Sequence, residues 1–146
     1  MVGSTNMKFK TWLENEDDYR GLHKAPSKNH GSPLHDLTDT YPDDIYSPLA
    51  ARYYGHGDPT IDNFTISVIQ SSHNKPDQPI KIYRAIPNSI DEKQINYGDW
   101  VTINKKYAIQ HGESSLHGEY VILTKTVPAK TLYTDGNSIH EWGYNP

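Results

Sequence analysis

One segment, residues 79–87, restricts the fold more than any other part of the chain. It reads Pro-Ile-Lys-Ile-Tyr-Arg-Ala-Ile-Pro, so that isoleucine recurs on one side of an alternating pattern. This alternation is typical of a half-buried β-strand, and it places Arg84 on the isoleucine face. Because a guanidinium keeps its charge and is costly to bury unpaired, Arg84 needs a partner. We expect either an internal carboxylate or an anion, such as a pyrophosphate, bound in a cleft.

With 146 residues, the chain is predicted to form one domain over residues 7–146. We interpret residues 1–6 as a remnant of cloning and Met7 as the native start. The mean hydropathy of -0.80 is low for a globular protein, but 11 tyrosines supply aromatic surface for a small core. The absence of cysteine excludes disulfides and thiol nucleophiles, and it fits a reducing compartment.

The distribution of charge and apolar residues narrows the expected partners. The net charge is -4 and no segment carries a basic stripe, so nucleic acid is not an expected partner. No apolar run is long enough to cross a membrane, and the N-terminal residues lack the apolar core of a signal peptide. We therefore expect a soluble cytoplasmic protein that has no membrane partner.

Turn-forming residues dominate residues 20–60, where we expect irregular structure. The tyrosines and Arg52 in this segment either anchor it on the core or pack over a bound base or ribose. Before it, Phe9, Trp12 and Leu13 recur at helical spacing. These three residues predict a short helix that either covers the core or binds a partner.

The rest of the chain predicts two helices among several short strands. The first helix runs from residue 62 to about residue 72, and its apolar stripe consists of Ile61, Phe64, Val68 and Ile69. The second, over residues 105–110, begins at the N-cap residue Asn104 and ends at Gly112. Further strands are predicted over residues 98–103, 119–127, 131–134 and 138–144. This order of elements predicts an α+β domain.

Several common catalytic motifs are missing from the sequence. The eight histidines include no pair with the i, i+4 spacing of a helical zinc site, so we predict no metal site. The chain also lacks the Gly-x-Ser-x-Gly elbow, the Gly-x-Gly-x-x-Gly fingerprint and the Walker loop. What remains is an ordered set on three predicted strands: Arg84, then Thr102, then Glu141.

This set carries a resemblance to a known family. Tyr-Arg-Ala at 83–85, Gly-Asp-Trp-Val-Thr at 98–102 and His-Glu-Trp-Gly-Tyr at 140–144 resemble the Arg…Ser/Thr…Glu order of ADP-ribosyltransferase folds. More closely, the chain resembles the ADP-ribosyltransferase-like domains of phage polyvalent and accessory proteins, over about residues 33–146. The resemblance implies a split β core with short flanking helices. It also implies a phage protein acting in the cytoplasm of an infected bacterium or associated with the virion.

The resemblance implies NAD as the substrate and assigns the two residues nearest the chemistry. Cleavage of the nicotinamide–ribose bond passes through an oxocarbenium-like state, which the Glu141 carboxylate would stabilise while it holds the ribose 2′-hydroxyl. Thr102 would keep Glu141 and the ribose aligned by a hydrogen bond. ADP-ribose would then be transferred to a host macromolecule, with a host protein as the expected target.

Four further residues are implied to contact NAD. Arg84 would pair with phosphate or ribose oxygens, and the backbone at Ala85 would meet the carboxamide. Trp100 or Tyr107 would stack on the nicotinamide ring. Four of the six site residues also have a purely structural interpretation: Arg84 and Glu141 as a buried ion pair, Thr102 as an ordinary strand threonine, and Trp100 as a core residue.

The chain departs from the family pattern at two places. Val101-Thr102-Ile103 stands where many members carry Ser-Thr-Ser, and Ile139-His140-Glu141 stands where arginine-modifying members carry Glu-x-Glu. Arginine is therefore a less favoured acceptor than another group or water. His140 alternates to the face opposite Glu141 and is not expected to replace it. The alternative hypothesis is an inactive domain of this type that binds a host protein and inhibits a defence or nuclease system.

Overall fold

The computed structural model describes residues 25–146. The predictions for residues 1–6 and for the helix around Phe9, Trp12 and Leu13 lie outside the described residues. The described part contains a six-stranded sheet in which every neighbouring pair is antiparallel, with short helices between the strands. This arrangement confirms the predicted α+β class.

The six strands follow one another along the chain but not across the sheet. They are β1 (Ser32–Pro33), β2 (Pro79–Pro87), β3 (Trp100–Thr102), β4 (Tyr120–Pro128), β5 (Leu132–Thr134) and β6 (Glu141–Tyr144). Across the sheet the order is β1-β5-β6-β3-β2-β4. β2 is therefore an inner strand, paired with β3 on one side and with β4 along its whole length on the other.

The helices are α1 (Ala50–Tyr54), α2 (Pro59–Ser71) and α3 (Lys105–Ser114), with 3-10 turns at Asp43–Tyr46 and Ala129–Thr131. α2 begins three residues before its predicted start, because the Asp58 side chain caps it by accepting from the backbone N–H groups of Thr60 and Ile61. α3 begins where it was predicted, since the Asn104 side chain accepts from the N–H of Tyr107 at 3.2 Å.

The predicted apolar stripe of α2 is wrong at Phe64, whose side chain is 52 % exposed. Ile61 and Ile69 do face the core, but the buried side of α2 also carries two polar residues, Asp62 and Thr65. Both hydrogen-bond to the buried His140 ring. α2 is thus oriented towards the buried His140 ring, a polar partner that the pattern of hydrophobic residues cannot reveal.

Gly112 does not end α3, contrary to the prediction. The helix continues to Ser114, and a Cβ at Gly112 would lie 2.4 Å from Cδ2 of Tyr120. The glycine therefore serves close packing of α3 on β4 rather than helix termination. β6 is also shorter than predicted, because the backbone N–H of His140 is bonded to the Ser138 hydroxyl at 3.1 Å instead of joining the ladder.

The core lies between the sheet and the segments that precede β2. Trp142 of β6 is 0 % exposed, and it packs in one cluster with Ile82 of β2 and with Leu34, Leu37 and Ile45 from the turn-rich segment. The Tyr54 hydroxyl donates to Asp44, which ties α1 to the preceding 3-10 turn. The described part of the turn-rich segment is thus anchored on the core, as one of its two sequence interpretations proposed.

Candidate functional site

Three adjacent strands bring the predicted site together. Thr102 of β3 lies opposite Glu141 of β6 and, on its other side, opposite Tyr83 of β2. Arg84 follows Tyr83 directly in β2. A cation, a hydroxyl and a carboxylate from these three strands line the same cleft. The three residues are far apart in sequence, and antiparallel pairing in this register is what makes them neighbours.

The cleft contains all six residues that the sequence singled out. These are Arg84, Ala85, Trp100, Thr102, Tyr107 and Glu141. Its cavity volume is about 60 Å³, and the empty space between its walls is about 440 Å³ when space open to solvent is included.

Arg84 is buried and has contacts with the strand beside it. Its side chain is 8 % exposed, and its Nη1 donates to the carbonyl oxygen of Trp100 at 2.6 Å. Its Nε lies 3.8 Å from Oδ2 of Asp99, which also accepts from the N–H of Asn96. An internal carboxylate is therefore next to Arg84, as one sequence alternative required, and the guanidinium lines the cleft as well.

Thr102 is buried and connects β3 to the start of α3. Its hydroxyl oxygen accepts from the backbone N–H of Asn104 at 3.2 Å. Asn104 in turn caps α3 through its side-chain oxygen. The hydroxyl therefore fixes the turn that carries Tyr107 towards the cleft.

Glu141 is partly exposed and accepts a hydrogen bond from the hydroxyl of Tyr107. Burial and the negative charge of Glu141 raise the pKa of Tyr107. The phenol therefore stays protonated and remains a donor to the carboxylate. The Tyr107 ring stacks on the ring of His140, with 4.7 Å between the centroids and 25° between the planes.

His111 lines the same cleft and was not singled out from the sequence. Burial, reinforced by the positive charge of Arg84, lowers the pKa of His111 from 6.5 to about 4. Its imidazole is therefore neutral at physiological pH. The signal that would have found it is its spacing from Tyr107, because i and i+4 share one face of a helix.

Behind Glu141 lies a buried hydrogen-bond network, which we call the His140 network: Asp62, Thr65, Asn104 and His140. Oδ1 of Asp62 lies 2.9 Å from Nε2 of His140. Nδ1 of His140 lies 2.8 Å from the Thr65 hydroxyl, which accepts from the side-chain amide of Asn104 at 3.0 Å. The same amide donates to the carbonyl of Ile61 at 2.9 Å, so the network joins α2, α3 and the residue before β6.

The protonation states in this network follow from its donors and acceptors. Burial raises the pKa of Asp62, but hydrogen bonds from the N–H groups of His56 and Gly57 and from His140 outweigh it, so the pKa is lowered. Burial lowers the pKa of His140 despite its bond to Asp62. A neutral ring that donates from Nε2 to the carboxylate must accept at Nδ1. The Thr65 hydroxyl then donates to Nδ1, and every group in the chain of bonds has a matching partner.

The described residues contain neither a metal-binding cluster nor a membrane-spanning helix. Within residues 25–146, no cluster of three or more histidine, aspartate or glutamate residues is arranged to hold a metal ion. None of the helices in the same range has the length and apolar character needed to cross a lipid bilayer.

Comparison with known proteins adds no relative. No protein-family model matches the chain, and neither the curated proteins nor the solved structures contain a match. The function must therefore be argued from the cleft itself.

Proposed function

We propose that this protein is an NAD-dependent ADP-ribosyltransferase of the ADP-ribosyltransferase-like fold type, encoded by a phage and acting in the bacterial cytoplasm. The observation that carries the proposal is the meeting of Arg84, Thr102 and Glu141 in one cleft on three adjacent strands. The resemblance in sequence required these residues to be neighbours, although 57 positions separate the first from the last.

The chemistry needs a fixed negative charge beside a ribose. The bond between nicotinamide and C1′ breaks with its electron pair leaving on nicotinamide, and positive charge develops on the ribose. The Glu141 carboxylate stabilises that charge, and Arg84 attracts phosphate or ribose oxygens of NAD. The acceptor then bonds to C1′ and releases its proton, so that ADP-ribose passes to a host macromolecule or, with water, NAD is hydrolysed.

The size of the cleft bears on how NAD would bind. The cleft has about 440 Å³ of empty space and is partly open to solvent, so the nicotinamide–ribose portion of NAD enters it and the phosphates lie towards Arg84. Trp100 is partly exposed at this cleft and offers an aromatic surface to the nicotinamide ring. Tyr107 is the less suitable platform, because its ring is already stacked on His140.

A second candidate function is an inactive domain of the same type that binds a host defence or nuclease protein. One observation favours it: the Glu141 carboxylate already accepts a hydrogen bond from the Tyr107 hydroxyl. In this alternative the cleft is a filled remnant, and binding uses another surface.

One experiment separates the two functions. Purified protein is incubated with NAD labelled in the adenine part, with and without bacterial extract, while nicotinamide release and label on macromolecules are measured. We expect Glu141→Gln to lower both about a hundredfold or more, since a charge aimed at the transition state is lost. The matched control is Glu113→Gln, which changes an exposed glutamate of α3 that is bonded to Tyr120. If the wild-type protein neither releases nicotinamide nor labels macromolecules, the result favours the inactive binding domain.

A further inference from the structure

We propose that Tyr107 and His140 are positioning residues for Glu141: the His140 ring holds Tyr107, and the Tyr107 hydroxyl holds the carboxylate. Neither residue was expected to have this role: the resemblance implied Trp100 or Tyr107 as the residue that stacks on nicotinamide, and it left His140 outside the site. The kinetic consequence rests on the proposed transferase function. The hydrogen bond from Tyr107 to the Glu141 carboxylate is tested separately, by a titration without NAD.

The first step is the contact on the carboxylate itself. The Tyr107 hydroxyl donates to Oε2 of Glu141, and both residues line the cleft. A glutamate side chain has three rotatable bonds, so without a donor its carboxylate samples several positions. A hydrogen bond from a donor that stays protonated restricts that rotation and favours the charged form.

The second step is the fixation of Tyr107. Its backbone N–H is held by the Asn104 side chain at the first turn of α3. One face of its ring lies on His140, 4.7 Å away between centroids, and its edge meets the ring of His56 at 6.4 Å. The phenol oxygen is therefore carried by a rigid ring whose position is set from the backbone and from a neighbouring ring.

The third step is the fixation of His140. Its side chain is fully buried, with Nε2 on Asp62 and Nδ1 on Thr65, both from α2. A histidine bonded at both nitrogens can neither rotate nor change tautomer without breaking a buried bond. α2 thereby determines the orientation of a ring on which the cleft tyrosine rests.

The second tyrosine–glutamate pair of α3 shows what an ordinary pair of this kind looks like. Tyr120 donates to Glu113 at 2.8 Å, but this hydrogen bond is exposed to solvent and neither residue lines the cleft. Tyr120→Phe is therefore a matched control for Tyr107→Phe. Each change removes one phenol oxygen and one bond to a glutamate.

The kinetic test compares single and double variants in the nicotinamide-release assay. We expect Tyr107→Phe to lower kcat about ten- to a hundredfold with little change in KM, because misplacement of a reacting group affects the transition state. His140→Gln lowers kcat in the same way. Added to Tyr107→Phe, it lowers kcat less than about twofold further, since it acts through the same hydroxyl. Tyr120→Phe leaves kcat unchanged. Additive losses, or equal losses in the two phenylalanine variants, would overturn the inference.

The independent test observes the carboxylate without substrate. Glutamate side-chain carboxyls are labelled with ¹³C, the Glu141 signal is assigned from its absence in Glu141→Gln, and its titration is followed by NMR. Loss of a donor to the charged form raises the titration midpoint, so we expect an increase of about one pH unit in Tyr107→Phe and no change in Tyr120→Phe. An unchanged midpoint in Tyr107→Phe overturns the inference. An increased midpoint in a protein without any turnover supports the positioning and rejects the transferase proposal.

Discussion

His140 and Glu141 are consecutive residues that lie in opposite environments. The His140 side chain is fully buried and bonded on both nitrogens, whereas Glu141 is partly exposed at the cleft. Alternation at the start of β6 separates the two sides, so one residue belongs to the polar network and the next to the site. The comparison shows how a cleft gains rigidity: the groups that hold it lie one layer behind it, where water does not compete for their hydrogen bonds.

The His140 network and the cleft around Glu141 should differ most in their contribution to the free energy of unfolding. Asp62 accepts three hydrogen bonds, from the N–H groups of His56 and Gly57 and from His140. Asp62→Ala leaves these donors without that acceptor, so we expect the free energy of unfolding to fall by about 3 kcal/mol or more, measured by urea denaturation.

Asp77→Ala serves as the matched control for Asp62→Ala. Asp77 pairs with Lys130 at 2.9 Å, but its side chain is 79 % exposed, and we expect a loss below about 1 kcal/mol. Similar losses in the two variants would mean that the His140 network contributes no more to stability than a surface ion pair does.

The pH dependence of stability should receive a contribution from each region. The folded-state pKa is lowered for both His140 and His111, from the usual 6.5 to about 4 in the case of His111. As pH falls below about 6.5, the unfolded chain therefore binds protons that the folded protein does not, and stability falls by up to about 1.4 kcal/mol per pH unit for each group. Above about pH 6.5 these two histidines no longer make the free energy of unfolding depend on pH.

Urea denaturation between pH 7 and pH 4 measures this slope. His111→Gln should remove the part of this slope that comes from His111 and keep the part that comes from His140. Equal slopes in the variant and the wild-type protein would show that burial of His111 does not exclude its proton.

The smallest effect on stability is expected when the Glu141 carboxylate of the cleft loses its charge. Glu141→Gln keeps the shape of the side chain and an oxygen that can accept from Tyr107, so the free energy of unfolding should change by less than about 1 kcal/mol. The same variant is expected to lose turnover, which makes it the sharpest contrast with Asp62→Ala. A loss of stability comparable with that of Asp62→Ala would place Glu141 among the residues that hold the fold together.

Much of the fold could be predicted from local patterns. The alternation in residues 79–87 gave β2 with its correct ends, and Asn104 gave the start of α3. These features depend on neighbours in sequence, which is why they can be read there. The errors have a different origin. Phe64 was expected inside and Gly112 was expected to end a helix, yet the actual environments depend on His140 and Tyr120, more than seven residues away.

The residues of the candidate site also fall into those that could be predicted from the sequence and those that could not. The six cleft residues were named from the resemblance to ADP-ribosyltransferase folds, and all six line one cleft. His111 was missed, since a single histidine carries no motif. The Asp99 carboxylate beside Arg84 was foreseen only as a class of partner, because pairing across strands depends on register that the sequence does not state.

The sequence by itself determined which residue types are available to the cleft and five of the six segments that form strands in the described residues, because both depend on composition and short-range periodicity. β1 lies in the segment that was expected to be irregular. Tertiary structure alone decided that β6, β3 and β2 lie side by side, that α2 turns Asp62 and Thr65 inward, and that Tyr107 donates to Glu141. These are contacts between residues distant in the chain. They form because buried donors and acceptors must find partners, a requirement that only the complete fold can satisfy.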